Sequence, residues 1–322
     1  MASSPRVGVI GARRRRQGLG PFVVRDLRAA GACVPCFVTT EQTTLEAARR
    51  QLAERDGVDA RGYLDLDAML AREALDALAI LCPAETHGAY LEAALAAGLH
   101  VLCEKPLLWG RSDLDEASAR IASGFDAKGL LLWENCQWPY TLPAYRRLHP
   151  DALESPPRRF EMHLQPATGD LRGLGESLPH ALSLLQAVVP GSDPRVEQTR
   201  FTAGEAASPA LSVSFRYRTS AAEVHALVRL EPSSVSPRAT LLAFNGRVAR
   251  RVVAREDYRL SFAADDRTVP MADPLTLLVA EFVSELAGGR VDPAASRSRE
   301  IAERMRLLAA LVAAYRQWGA QP

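Results

Sequence analysis

The first half of the chain alternates between short, largely apolar runs and longer amphipathic stretches. Runs at 6–10, 33–38, 78–82, 101–103 and 130–133 show little polar alternation, which predicts strands buried on both faces. Between them, 20–30, 44–54, 85–97 and 114–123 carry helix-like spacing, and 66–71 reads as a short helix. Strands alternating with helices predict a parallel sheet covered on both sides. Prolines and charges at 151–159 break the pattern. A strand is expected at 160–164 and a helix at 175–188, followed by strands at 211–218, 223–230, 240–244 and 247–253. Two helices, 274–287 and 297–315, end the reading. Leu211, Val213, Phe215 and Tyr217 alternate with Ser212, Ser214, Arg216 and Arg218, giving that strand one apolar and one polar face. The fold class expected is α/β: a doubly wound parallel sheet over 1–150, then an α+β domain on a largely antiparallel open sheet over 151–322.

A chain of 322 residues can hold two cores, and 48% hydrophobic with 24% charged residues is ordinary for a globular protein. The net charge of +1 gives no global field for nucleic acid or an anionic membrane. No apolar stretch suits a signal peptide or a membrane span, and the five cysteines read as reduced thiols, so a cytoplasmic location is expected. Cys33 and Cys36 have redox-motif spacing, but such motifs open a helix, whereas this pair lies in an apolar run. The six histidines show no metal-ligand spacing, and no metal is expected.

The first apolar run ends at Gly11, and Gly18 and Gly20 precede the next helix. Strand, glycine loop and helix form a dinucleotide-binding arrangement in which a pyrophosphate meets the helix N-terminus. The strict G-x-G-x-x-G spacing is absent. If Gly20 lets helix and strand pack, the loop is about four residues longer than usual. It carries four consecutive arginines, of which Arg13, Arg14 and Arg16 are taken as candidates for phosphate oxygens. The second strand ends in Thr39 and Thr40, where an NAD site usually places an acid for the ribose. A neutral hydroxyl near arginines tolerates a 2′-phosphate and tilts the cofactor toward NADP, while Glu41 keeps NAD open.

Lys105 is one of two lysines among 39 basic side chains. A lysine kept against such a bias can give up a proton, which arginine does not. It stands in His100-Val101-Leu102-Cys103-Glu104-Lys105-Pro106, where an apolar run stops at a charge pair, as at the end of a buried strand.

Ala97 to Leu107 resembles the G-K-H-V-L-C-E-K-P-L segment of the glucose–fructose oxidoreductase / inositol dehydrogenase (Gfo/Idh/MocA) family, with Leu99 at the usual lysine. Cys82-Pro83-Ala84-Glu85-Thr86-His87 is similar to that family's T-P-x-x-x-H turn on the nicotinamide side. Gly175 to His180 resembles its second catalytic element, an Asp four residues before a His, with Glu176 in the Asp place and Ser183 where another Asp is frequent. Spacing of four puts Glu176 and His180 on one helical face if Pro179 falls in the first turn.

The resemblance implies hydride transfer between NAD or NADP and a hydroxyl or carbonyl carbon of a sugar, cyclitol or similar polyol. His180 would act as acid/base, Lys105 would bind the reacting oxygen and Glu176 would orient His180 or bind a second hydroxyl. Cys82, Pro83, His87, Glu104 and Lys105 would line the cofactor. It also implies a homodimer or homotetramer, a small-molecule substrate and no nucleic-acid or membrane partner. A non-catalytic ligand-binding relative, or one using the cofactor in elimination or glycoside hydrolysis, stands as the alternative. Trp138 and Tyr140 read either as stacking residues or as packing.

Overall fold

The computed structural model describes residues 4–13, 18–204, 210–254, 256–288 and 297–320. They divide into two compact units, Met1–Asn135 with Leu275–Ala302, and Cys136–Pro274 with Glu303–Pro322.

The first unit is built on a six-stranded parallel sheet. Its strands are β1 (Val7–Ile10), β2 (Cys36–Val38), β3 (Arg61–Tyr63), β4 (Ala77–Ile80), β5 (His100–Cys103) and β6 (Leu132–Glu134), in the order β3-β2-β1-β4-β5-β6. The connecting helices are α1 (Gly20–Ala29), α2 (Gln42–Asp56), α3 (Leu66–Leu70), α4 (His87–Ala97) and α5 (Leu114–Ala127). β1 and β4 are buried along their whole length, as continuous apolar runs demand. The expected strand at 33–38 contracts to β2, and Cys33 keeps one isolated bridge to Arg6. Pro35 between them has no N–H for the ladder. Cys33 is exposed, while burial pushes the Cys36 thiol up to about 12, so neither residue has a reactive-pair environment. β3 was not expected, because Arg-Gly-Tyr at a sheet edge carries no apolar run. Lys128 caps α5, and its Nζ donates to the Leu95 carbonyl at 2.7 Å.

The second unit holds an eight-stranded sheet. After helix α6 (Leu142–Leu148) come β7 (Arg159–Leu164), helix α7 (Leu171–Val188), β8 (Arg195–Ala203), β9 (Leu211–Arg218), β10 (Glu223–Leu230), β11 (Thr240–Phe244), β12 (Arg247–Val253), β13 (Leu260–Ala264) and β14 (Arg267–Met271). The order is β14-β13-β12-β11-β7-β10-β9-β8, with β7 and β10 parallel and the other neighbours antiparallel. Helices α8 (Pro274–Gly288) and α9 (Arg297–Gly319) follow in the chain, the residues from Leu275 to Ala302 counting with the first unit and those from Glu303 with the second. β9 alternates as its sequence predicts: Leu211, Val213, Phe215 and Tyr217 are buried, and the residues between them are not. β8, β13 and β14 escaped the reading because polar and half-exposed residues dominate them.

Tyr145 on α6 ties that helix to the second sheet. Its hydroxyl donates to the Arg247 carbonyl at 2.6 Å and accepts from the Phe244 N–H at 3.0 Å. Burial pushes its phenol up to about 12. Tyr145→Phe removes both bonds and keeps the ring, so a loss of about 1–3 kcal/mol is expected from the groups left unpaired. Urea unfolding should show a lower midpoint with an unchanged slope.

Candidate functional site

The glycine loop is assembled by two close backbone approaches. Gly11, at the end of β1, has φ of +87°, and a Cβ there would stand 2.7 Å from the Leu81 carbonyl oxygen. Its N–H donates to the Val38 carbonyl at 3.3 Å. Gly20 opens α1, and a Cβ on it would overlap the Gly11 carbonyl oxygen and the backbone of Ala12. The helix N-terminus therefore lies directly against the strand end, despite the lengthened loop. Pro21 adds a residue suited to a first helical turn. This cradle of two close backbone approaches has the strand, loop and helix form that receives a dinucleotide pyrophosphate. Arg13 and Gly18 are half-buried at its edges, while Arg14 and Arg16 lie outside the described residues. Gly20→Ala is expected to cost at least about 1–3 kcal/mol, because backbone must move to admit the methyl group. The check is a lowered melting temperature.

The end of β2 separates the two threonines. Thr39 is buried, and its hydroxyl donates to the Glu41 carbonyl at 3.4 Å. Thr40 and Glu41 are exposed.

The ends of β4, β5 and β6 gather the remaining first-unit candidates. His87 is fully buried, with Nδ1 3.0 Å from the Pro106 carbonyl oxygen and Nε2 2.9 Å from that of Cys82. Its ring is committed to the two turns it joins, and it shapes their surroundings through them. Pro83 is exposed beside it. Burial raises the Cys82 thiol, and the Thr86 hydroxyl donates to its sulfur at 3.1 Å. Lys105 and Glu104 are half-buried at the end of β5, and the Lys105–Pro106 peptide is cis.

The neighbouring strand fixes this pair. The Asn135 side-chain amide donates to Glu104, and the Asn135 N–H extends the ladder to the Cys103 carbonyl at 2.8 Å. Glu134 is buried and accepts from the Leu107 N–H at 2.8 Å, holding the chain just after Pro106. The strand expected at 130–133 begins later, as β6 at Leu132. It ends at Glu134, which pairs with Cys103 and so stands next to the lysine segment.

Burial is the main effect that raises Glu104 above its ordinary 4.5, with the Lys105 charge and the Asn135 amide opposing. The folded chain thus holds the Glu104 proton more tightly than the unfolded chain, and this contribution to stability is lost as pH rises through the raised value. Glu104→Gln does not titrate. Its melting temperature relative to the native chain should rise as pH goes from about 4 to 7, and a pH-independent difference would contradict the assignment.

In the second unit, α7 begins at Leu171, capped by Asp170, which accepts from Arg172 N at 3.0 Å and Gly173 N at 3.2 Å. The expected start at 175 is corrected by this cap, and Pro179 lies mid-helix, not in the first turn. Its missing N–H falls opposite Gly175, a buried position with no side chain. Glu176 and His180 are both half-buried on α7. Glu176 accepts from Arg172 Nε at 3.0 Å. The His180 ring stands edge-on to buried Trp138, centroids 6.2 Å apart. The Arg251 guanidinium lies 5.6 Å from the Trp138 ring centre, and its Nη2 donates to the Arg238 carbonyl at 2.9 Å. These two arginines were not singled out from sequence. The available signal was ambiguous, since Arg247-Val248-Ala249-Arg250-Arg251 places arginines on both strand faces.

Residues 5–129 match the profile of the Gfo/Idh/MocA oxidoreductase family, described by its NAD-binding Rossmann fold. Inositol 2-dehydrogenase of Corynebacterium glutamicum is 35% identical over 107 residues, 33% of this chain and 30% of that protein. A dTDP-3,4-didehydro-2,6-dideoxy-α-D-glucose 3-reductase of Streptomyces violaceoruber is 38% identical over 120 residues, 37% of this chain and 33% of that protein. The matched segments thus span about a third of these curated relatives. Similarity of fold runs further. UDP-N-acetylglucosamine 3-dehydrogenase of Acidithiobacillus ferrooxidans superposes with a TM-score of 0.67 at 21% identity, over 96% of this chain and 97% of that one. A 3-ketoreductase of Actinomadura kijaniata, solved with NADP, gives 0.67 at 18% identity, over 98% and 97%.

Proposed function

We propose that this member of the Gfo/Idh/MocA oxidoreductase family, a membership carried by residues 5–129, transfers a hydride between a nicotinamide dinucleotide and the hydroxyl or carbonyl carbon of a sugar, cyclitol or similar small polyol. The observation that carries the reading is Glu104-Lys105-Pro106 at the end of β5, on the same sheet edge as the Gly11–Gly20 cradle. In such sheets, ligands lie beyond the carboxyl ends of the strands.

Gly11, Arg13, Gly18 and Gly20 would hold the pyrophosphate, and Cys82, Pro83 and Glu104 the nicotinamide side. When bound, the dinucleotide supplies the hydride acceptor or donor. Lys105 hydrogen-bonds the reacting oxygen and favours its developing negative charge. His180 moves the hydroxyl proton, as imidazole does near neutral pH. Its orientation is supported by the Trp138 edge contact. Glu176, paired with Arg172, is placed to receive a second substrate hydroxyl. NADP is favoured over NAD because exposed Thr40, two residues after β2, brings no carboxylate to that position.

The chain is placed in the cytoplasm, a reading supported by five free cysteines. Among the described residues, no helix is long and apolar enough to cross a membrane. Assembly into a homodimer or homotetramer is assigned to the polar face of the second sheet. Arg216 and Glu223 pair there at 3.4 Å, as do Arg229 and Glu161 at 3.8 Å.

Titration with NAD, NADP and their reduced forms, followed by a sugar and cyclitol panel read at the reduced-nicotinamide absorbance, tests the proposal. Failure to bind any dinucleotide would sink it. With a substrate in hand, Lys105→Arg is expected to lower kcat/KM by about 10²–10⁴-fold, since it keeps charge and loses proton exchange. Near-normal turnover would remove Lys105 from the acid/base cluster.

A further inference from the structure

A buried acceptor at the end of β6 lacks a donor. Asn135 is 2% exposed, and its Oδ1 has no hydrogen-bond partner among the described residues. Native structures rarely enclose an amide oxygen in this way. The other end of the same amide, Nδ2, donates to Glu104 Oε1.

The backbone sets these two side chains next to each other. Cys103 of β5 and Glu134 of β6 are register partners, so the residues that follow them, Glu104 and Asn135, stand side by side. The Glu104 N–H donates to the Ile80 carbonyl at 2.8 Å, which continues the ladder past the strand end. Glu104 as a whole is half-buried, yet its acid end meets an enclosed amide.

A carboxylate only accepts, so it cannot satisfy Asn135 Oδ1. A protonated carboxyl can. An acid and a primary amide offer one donor and one acceptor each at matching spacing, and they close two parallel hydrogen bonds. Nδ2–H to Oε1 is the first of these, and Oε2–H to Oδ1 completes the pair. Turning the amide over leaves the same demand. Oδ1 would then face Oε1, and two acceptors meet there only if the carboxyl carries a proton. The surroundings agree. Burial is the largest effect and raises Glu104, opposed by Lys105, the Asn135 amide and His87, while Glu134 adds to it. The Cys103 thiol beside it is raised well above its ordinary value by burial and stays neutral.

We infer that Glu104 carries its proton, held in a two-bond acid–amide pair with Asn135, and that Asn135 is a positioning residue which keeps this acid neutral beside Lys105. The pair itself rests on contacts within the first unit. Its catalytic consequence rests on the proposed function. A neutral Glu104 removes one negative charge from beside the Lys105 ammonium, so that ammonium acts more fully on an oxygen becoming alkoxide.

Infrared absorption reads the proton directly, because the C=O stretch of a protonated carboxyl stands apart from carboxylate and amide bands. The full chain, without dinucleotide, is measured between about pH 5 and 8. At about pH 6 an ordinary glutamate is ionised, so an acid band there is expected from Glu104. Asp56 is also raised by burial, and carbon-13 labelling of the glutamate carboxyls separates the two. Glu104→Gln should abolish the labelled band. Asn135→Leu should move it to higher frequency, as the acid loses its amide partner. The band should fade as pH rises through the raised value, and Glu134→Gln should bring the fading to lower pH.

If Glu104→Gln fails to fold by circular dichroism, the glutamate label in the native chain decides. No labelled acid band at about pH 6, or a band unmoved in folded Asn135→Leu, overturns the inference. NADPH binding is measured in parallel. A chain that binds NADPH and shows no glutamic acid band retains the proposed function and loses this inference. A chain that shows the band and binds no dinucleotide keeps the pair and loses its catalytic role.

Discussion

Parallel pairing of six strands under helices leaves no room for charge within the first sheet. Val7, Val9, Val101 and Cys103 have no exposure, and Ala77–Ile80 is equally closed. An ionised side chain in that layer would lose its hydration without compensation. Polar chemistry is therefore confined to the strand ends. Glu104, Lys105 and Asn135 follow their strands, and Glu134 is the last residue of its own. The backbone obeys a related constraint at β1, where strand and helix meet closely enough to exclude side chains at Gly11 and Gly20. The layer that cannot tolerate charge thus fixes where the charged groups gather.

The second sheet solves a different problem. Most neighbours are antiparallel, and β9 shows one face buried and the other partly exposed. Its single parallel pair, β7 with β10, requires a crossover, and α7 lies within that connection. The helix carrying Glu176 and His180 is thus set by topology. Arg251 interrupts the apolar face of this sheet, and the aromatic ring between it and His180 makes the interruption part of the same neighbourhood.

Periodicity made the major elements legible. β9, β10, β11 and β12 stand where alternation or β-branched runs put them, because their burial is regular. The polar strands β3, β8, β13 and β14 carried no such signal, since their partners, not their composition, make them strands. Gly20 could be read as a packing glycine because strand, loop and helix left it little other reason to be there. The true start of α7 could not, because Asp170 precedes a stretch whose glycines and arginine look like loop. Glu134 and Asn135 were visible as polar residues, but their hydrogen bonds to Leu107 and Glu104 depend on a register that one sequence does not encode locally. Arg251 reaches the Arg238 backbone carbonyl on a separate segment, a relation that spacing along the chain cannot express.

The scarcity of lysine has a practical side. The amine of Lys128 is engaged by the Leu95 carbonyl at the end of a helix. Lys105 is the one other side-chain amine in 322 residues. Arginine does not share the acylation and reductive-alkylation chemistry of amines, so the chain carries an almost unique chemical address at the end of β5. Mass mapping of a mild amine reagent, with and without bound ligands, can follow the accessibility of that one position. In a lysine-rich homologue the same label would be spread over the whole surface.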